Sequence, residues 1–305
     1  MDKIVKVAIV GAGPAGIAAG IFLQRAGLSP LLLEKGEPGG LLRSANLVEN
    51  YPGFPKGVSG RVLASRFRRQ LRAVGLEAVD AQVERIARSR GSFKIDAKSQ
   101  SFASRAVIVA SGTRPKDPDL GSCVASRRSR VFNEITDIPR AMLRGKHAVI
   151  IGGGDAAFDY ALNLRASGDG VTIVSKSGPR CLPLLRERAN SRGVQTLVGF
   201  GLGSIHCTDR GRVLICRLRG DGKTEELKAD FILTACGRVP NLGFLGPALA
   251  KALGTRPPPE TAVKGLFVAG DAARGSHRQT GIAVGDGIRA AMMVQDLFRQ
   301  RGASR

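Results

Sequence analysis

The segment Gly11-Ala12-Gly13-Pro14-Ala15-Gly16 lies between an apolar run, Lys6 to Val10, and a helical pattern, Ile17 to Ala26. A second apolar run, Pro30 to Leu33, then ends at Glu34, 18 positions after the last glycine. Strand, glycine turn, helix and strand in this order make a βαβ unit, which commits the chain to an α/β fold with parallel strands. Each glycine has a separate reason. Gly11 permits the tight turn, Gly13 lets backbone approach a pyrophosphate, and Gly16 lets helix and strand pack closely. The helix then aims its free N–H groups and the positive end of its dipole at the phosphates. Glu34 is placed to accept hydrogen bonds from a ribose, so the segment reads as a dinucleotide site.

The same device returns in mid-chain. Ala148 to Ile151 reads as a strand, Gly152-Gly153-Gly154-Asp155-Ala156-Ala157 as a G-x-G-x-x-A turn, and Phe158 to Arg165 as helix. The following strand, Val171 to Val174, ends in Ser175-Lys176 with no acid. A carboxylate there would repel a ribose 2′-phosphate, whereas Lys176 and Arg180 would attract one, so NADPH is expected over NADH. Two nucleotides in one chain point to a nicotinamide giving hydride to a flavin. A strand Ala106 to Ala110 leads out through Ser111-Gly112-Thr113, and a strand Phe231 to Ala235 leads back through Cys236-Gly237-Arg238. The expected fold is two Rossmann-like, three-layer domains. Residues 1–114 and 242–305 form the first dinucleotide-binding domain, and the second, the NAD(P)-binding domain 115–241, is inserted into it. Segments near Phe93 and Phe102, and Ile205 to Leu218, read as antiparallel ribbons, and Gly281 to Phe298 as a helix.

A length of 305 residues suits two domains. No apolar run reaches the ~20 residues of a membrane span. Met1 to Val7 enters the first strand directly, which leaves no room for a signal peptide and predicts a cytoplasmic protein. The formal net charge is +22, with 34 arginines among the 47 basic residues, spread along the whole chain. Such a surface either attracts nucleic acid, membranes or an acidic protein, or is simply a solvated basic surface, and the spread of the arginines suits the second. No zinc finger or RNP-like stretch accompanies it, so no specific nucleic acid is expected. The five cysteines, 123, 181, 207, 216 and 236, include no C-x-x-C and no metal-ligand spacing. Cys207 and Cys216 flank a hairpin turn and are expected to face one another as reduced thiols. Cys123 lies in a basic stretch without a resolving partner, Cys181 reads as loop and Cys236 as core. His147 and His206 read as structural.

These motifs together resemble the low-molecular-weight thioredoxin reductase group of two-dinucleotide flavoproteins. Carried by Gly11, Gly13, Pro14, Ala15, Gly16, Glu34 and Lys35, the likeness extends to Gly40-Leu41, Val48 to Pro55 with Asn50, and Ala110-Ser111-Gly112. It closes on Gly270-Asp271 and Arg278-Gln279-Thr280. The resemblance implies FAD on these residues, a nicotinamide on Gly152, Gly154, Asp155, Ala156, Ala157, Lys176 and Arg180, and a homodimer. It also implies a redox C-x-x-C shortly before Gly152, where this sequence reads Val131-Phe132-Asn133-Glu134-Ile135-Thr136-Asp137-Ile138-Pro139. A gapless comparison puts Glu134 and Asp137 near the two sulfur positions, and carboxylates undergo no thiol–disulfide exchange. The expected activity is an FAD-dependent NAD(P)H oxidoreductase with an acceptor other than thioredoxin.

Three rival readings stand beside it. One is a ferredoxin- or flavodoxin-NADP reductase with an acidic carrier as partner. Another is a redox-inert FAD-binding sensor or interaction protein, and a third a reductase of small disulfides. Glu134, Asp137 and His277 are the candidate side chains for proton transfer. For Glu134 and Asp137 the structural alternative is a helix start with Asp137 as N-cap ahead of a turn running to Leu143.

Overall fold

The computed structural model describes residues 4–116, 130–208, 213–220, 222–253 and 259–303. The chain divides into two compact units: Met1–Arg43, Val48–Arg114 and Val239–Arg305 form the first, and Ser44–Leu47 with Pro115–Arg238 the second.

The first unit opens with β1 (Val5–Val10), α1 (Pro14–Arg25), β2 (Leu31–Glu34), α2 (Gly60–Ala73) and β3 (Ala78–Asp80). An antiparallel ribbon follows, β4 (Val83–Ser89) and β5 (Ser92–Ala97), and then β6 (Ser101–Val109). The strands lie in the order β3-β2-β1-β6-β5-β4. Along its other edge, β6 pairs with β5 through its first half and through its second half with a parallel strand from the end of the chain. Alternation along the central strands sorts side chains to two faces. Val7, Ile9, Ala106 and Ile108 enter the core under α1, while Ala8, Val10, Val107 and Val109 enter the core shared with Ile86, Phe93 and Ile95 of the ribbon. Helices, sheet and ribbon are the three layers.

Short strands β7 (Thr113–Pro115) and β16 (Arg238–Pro240) pair where the chain leaves and returns. The second unit holds β8 (Val131–Phe132), β9 (His147–Ile151), α3 (Asp155–Ala166), β10 (Gly170–Ser175), α4 (Pro183–Ser191) and β11 (Gln195–Val198). It continues through β12 (Gly201–Thr208), β13 (Val213–Gly220), β14 (Lys223–Ala229) and β15 (Phe231–Thr234). A parallel sheet in the order β11-β10-β9-β15-β8 carries α3 on one face. Its other face takes the antiparallel β12-β13-β14 sheet, through Ile205, Leu214, Cys216 and Leu218 packed on Val149 and Ile232. The chain then re-enters the first unit as α5 (Pro247–Ala252), β17 (Leu266–Val268), the strand beside β6, and the long α6 (Thr280–Ala303).

Ser44–Leu47 groups with the second unit, held to α3 by hydrogen bonds, and that unit ends at Arg238, three residues from the expected boundary. Two local expectations are corrected. Cys207 stands opposite Leu214 and Cys216 opposite Ile205, so the two cysteines are not directly paired. Asp137 caps no helix: it closes a 3-10 turn, Ile135–Asp137, and a second such turn, Arg140–Met142, replaces the expected helical run. Pro139 between them, with φ −58 and ψ 137, prevents the two from joining.

Candidate functional site

In the first unit the glycine turn closes on β6. A Cβ at Gly11, whose φ is +102, would lie 2.4 Å from the Ala110 carbonyl oxygen, and one at Gly16 would lie 1.8 Å from the Gly11 carbonyl oxygen. Both positions therefore demand glycine. Gly13 has no such neighbour: the nearest atom to its Cβ position is Gly40 Cα at 4.0 Å. Pro14 opens α1, Gly13 is its N-cap, and no side chain caps it, so its leading N–H groups are left for a ligand. Gly39 N–H donates to the Ala12 carbonyl at 2.7 Å, which fixes Gly40 and the half-buried Leu41 beside the turn. Glu34, at the end of β2, accepts the Ala12 N–H on Oε2 at 2.6 Å, and Lys35 beyond it is exposed.

The remaining residues of this set gather from distant positions. Ser111 Oγ donates to the Asn241 carbonyl at 2.7 Å, and Asn241 N–H to the Gly112 carbonyl at 3.0 Å. Gly270 and Asp271 begin a 3-10 turn after β17, and a Cβ at Gly270 would lie 2.8 Å from the Ala15 Cβ. Asn50 Nδ2 donates to Gln279 Oε1 at 2.9 Å across 229 positions of sequence, just before Thr280 starts α6. Arg278 Nε donates to the Arg274 carbonyl at 3.2 Å. Arg274 in turn grips the buried Asp286 with two nitrogens, at 2.9 and 2.5 Å. His277 is exposed.

In the second unit the geometry repeats. A Cβ at Gly152, with φ +139, would lie 2.4 Å from the Ala235 carbonyl oxygen, and one at Gly153 would lie 2.3 Å from Ser175 Oγ. A Cβ at Gly154 would meet nothing within 4 Å, and as N-cap of α3 it makes no side-chain cap bond. Asp155 in the first turn accepts the Leu182 N–H at 2.9 Å, and Ala156 is exposed beside the buried Ala157. Arg180 N–H donates to the Gly153 carbonyl at 2.7 Å, which brings its exposed side chain to the turn, and Lys176 is exposed at the end of β10.

Around Glu134 stands a polar cluster within this unit. Tyr160 on α3 donates its hydroxyl to Glu134 Oε2 at 2.6 Å, while Oε1 is ion-paired with Arg238. Burial, reinforced by the Glu134 charge, pushes the Tyr160 phenol above its ordinary value. Both Glu134 oxygens are thus engaged in structural bonds, whereas Asp137 is exposed. Sequence reasoning missed Tyr160 and Arg238. It also missed Asp159, which accepts the Asn46 N–H at 2.9 Å, and Asn163, which accepts from Asn46 Nδ2 and donates to the Ser44 carbonyl, each at 2.9 Å. Burial drives the Asp159 carboxyl up to about 6 against the opposing bonds from the Asn46 and Leu47 amides.

Cys216 is buried on β13. Cys236, expected in the core, is an exposed residue whose Sγ lies 3.5 Å from the Ile151 carbonyl, because β15 ends two residues earlier. Partial burial raises the thiols of Cys181 and Cys236. Cys123 lies outside the described residues. His147 packs inside the unit with Nε2 3.1 Å from Thr172 Oγ1, and burial lowers its ring pKa. Among the described residues no group of three His, Cys, Asp or Glu could hold a metal, and no helix is long and apolar enough to cross a membrane.

The family model described as pyridine nucleotide-disulphide oxidoreductase matches residues 5–287. The chain belongs to this family. It is 32% identical over 310 residues to a thioredoxin reductase of Bacillus subtilis, covering 96% of this chain and 95% of that one. Among solved structures, Lactococcus lactis thioredoxin reductase in its FR conformation superposes with a TM-score of 0.86 at 25% identity, covering 97% and 99% of the two chains. Thioredoxin reductase of T. acidophilum does so with 0.83 at 27% identity, covering 95% and 97%. The two Rossmann-like units are thus those of a thioredoxin reductase-like oxidoreductase.

Proposed function

We propose that the chain holds FAD in the first unit and NADPH in the second, and passes electrons to an acceptor other than a disulfide of its own. The observation that carries this reading is the pair of equivalent turns. Both helices lack a side-chain cap, and Gly13 and Gly154 leave open space where pyrophosphates would approach. Gly11, Gly13, Gly16 and Glu34 would hold the adenosine diphosphate part of FAD, with Asn50, Asp271 and Gln279 toward its flavin end. Gly152, Gly154 and Ala157 would hold the nicotinamide nucleotide, with Lys176 and Arg180 at its 2′-phosphate. A bound flavin supplies the hydride acceptor. The protein supplies orientation, which is most of what such a transfer needs.

The acceptor is inferred from the sequence before Gly152, which holds no C-x-x-C. A redox-inert role is disfavoured, because an idle second unit has no physical need for an open glycine at Gly154.

Anaerobic titration of the yellow protein with NADPH and, separately, NADH tests the reading through flavin absorbance. NADPH should bleach the flavin at lower concentration than NADH, and Lys176→Ser should narrow that difference about tenfold or more, by removing a charge from the phosphate. A flavin bleached by dithionite and by neither nucleotide would refute it.

A further inference from the structure

Among the described residues, helix α2 is the most arginine-dense element. Five of its 14 residues are arginine, Arg61, Arg66, Arg68, Arg69 and Arg72, against 34 in 305 overall. Its buried stripe is Leu63, Ala64 and Leu71, and helical spacing carries Arg61, Arg66, Arg69 and Arg72 onto the exposed arc. Carboxylates neutralise only part of this face. Glu37 pairs with both Arg43 and Arg68, and Glu77 is 3.9 Å from Arg72. Among the described residues Arg61, Arg66 and Arg69 have no carboxylate partner.

The face is not purely charged. Val62, in the same arc, is 46% exposed. Arg66 sits over the Phe54 ring, 4.9 Å from its centroid, and Tyr51 packs against Phe54 at 6.3 Å and against Phe67 of α2 at 5.7 Å. Tyr51 follows Asn50, which bonds Gln279 at the flavin end of the proposed FAD site. A basic surface about 21 Å long, with apolar and aromatic content, therefore adjoins that site.

We propose that this face of α2 docks an acidic electron-carrier protein, the acceptor of the electrons that arrive from NADPH. The inference rests on the flavin reading above. Arginine and aromatic side chains are the groups enriched where protein partners bind, and unpaired guanidinium groups steer an acidic partner to the face. A nucleic acid would also answer the charge. Exposed Val62 and the aromatic flank favour a protein. Each NADPH yields NADP+, one proton and two electrons, so two one-electron carriers are reduced per nucleotide.

The test uses the full-length flavoprotein with oxidised flavodoxin as the acidic probe and a small neutral quinone as an acceptor that needs no docking. The double variant Arg61→Glu/Arg69→Glu should lower kcat/KM for flavodoxin at least tenfold at low ionic strength. Quinone reduction and flavin content should stay within twofold of the parent. Flavodoxin reduction by the parent should also fall steeply with salt, as steering between exposed charges requires. Unchanged flavodoxin kinetics in the variant would overturn the docking proposal, as would quinone reduction by the parent without flavodoxin reduction. So would duplex DNA binding that the substitutions abolish while flavodoxin kinetics persist. A parent that reduces neither acceptor would instead overturn the reductase reading beneath it.

Discussion

Asp159 stores an electrostatic cost inside the second unit. Its carboxyl titrates near 6 rather than 3.8, chiefly because α3 buries it under Ser44–Leu47. A carboxyl whose folded pKa is raised favours the folded state fully below its unfolded pKa, and that contribution is lost as pH rises through the folded one. The window is therefore about pH 4 to 6. Asp159→Asn keeps an oxygen to accept the Asn46 N–H and removes the titration. Urea melts should show the variant gaining about 1–3 kcal/mol on the parent between pH 4 and 7. A difference that does not change with pH would contradict the assignment. No sequence pattern announces this residue, since its partner lies 113 positions away. The glycines are different, because each answers a local steric demand. Gly11 and Gly152 meet the carbonyls of Ala110 and Ala235 in the same way, and that repetition is readable from spacing alone.

At the scale of elements, α1 and α6 pack so closely at Gly287 that no side chain fits at that position. A Cβ on Gly287 would lie 2.1 Å from the Ala15 carbonyl oxygen, a backbone atom that only moving a helix could relieve. Gly285, one half-turn away, is exposed with nothing within 4 Å of its Cβ position. Gly287→Ala should therefore cost about 1–3 kcal/mol of stability, while Gly285→Ala should be neutral or stabilise by up to about 1 kcal/mol. Equal thermal shifts for the two would refute the crossing. Both helices, both parallel sheets and the antiparallel ribbons are legible in the sequence, because apolar periodicity and glycine turns set them locally. The helix start expected at Asp137 is absent, and two 3-10 turns stand there instead. There Pro139 breaks the backbone, and Tyr160 and Arg238, from two other segments, hold Glu134.

For the whole molecule, two Rossmann-like units belong to one family, and the proposed redox role rests on the sequence before Gly152, which holds no C-x-x-C. Glu134 there is a carboxylate, which undergoes no thiol–disulfide exchange. A flavin accepts two electrons, whereas a flavin with a redox-active disulfide accepts four. The most direct test is thus an anaerobic dithionite titration of the FAD-loaded chain, counting electrons to full reduction. About two electrons per flavin are expected for a chain without a disulfide of its own. About four would show a hidden redox pair among the cysteines and contradict the account.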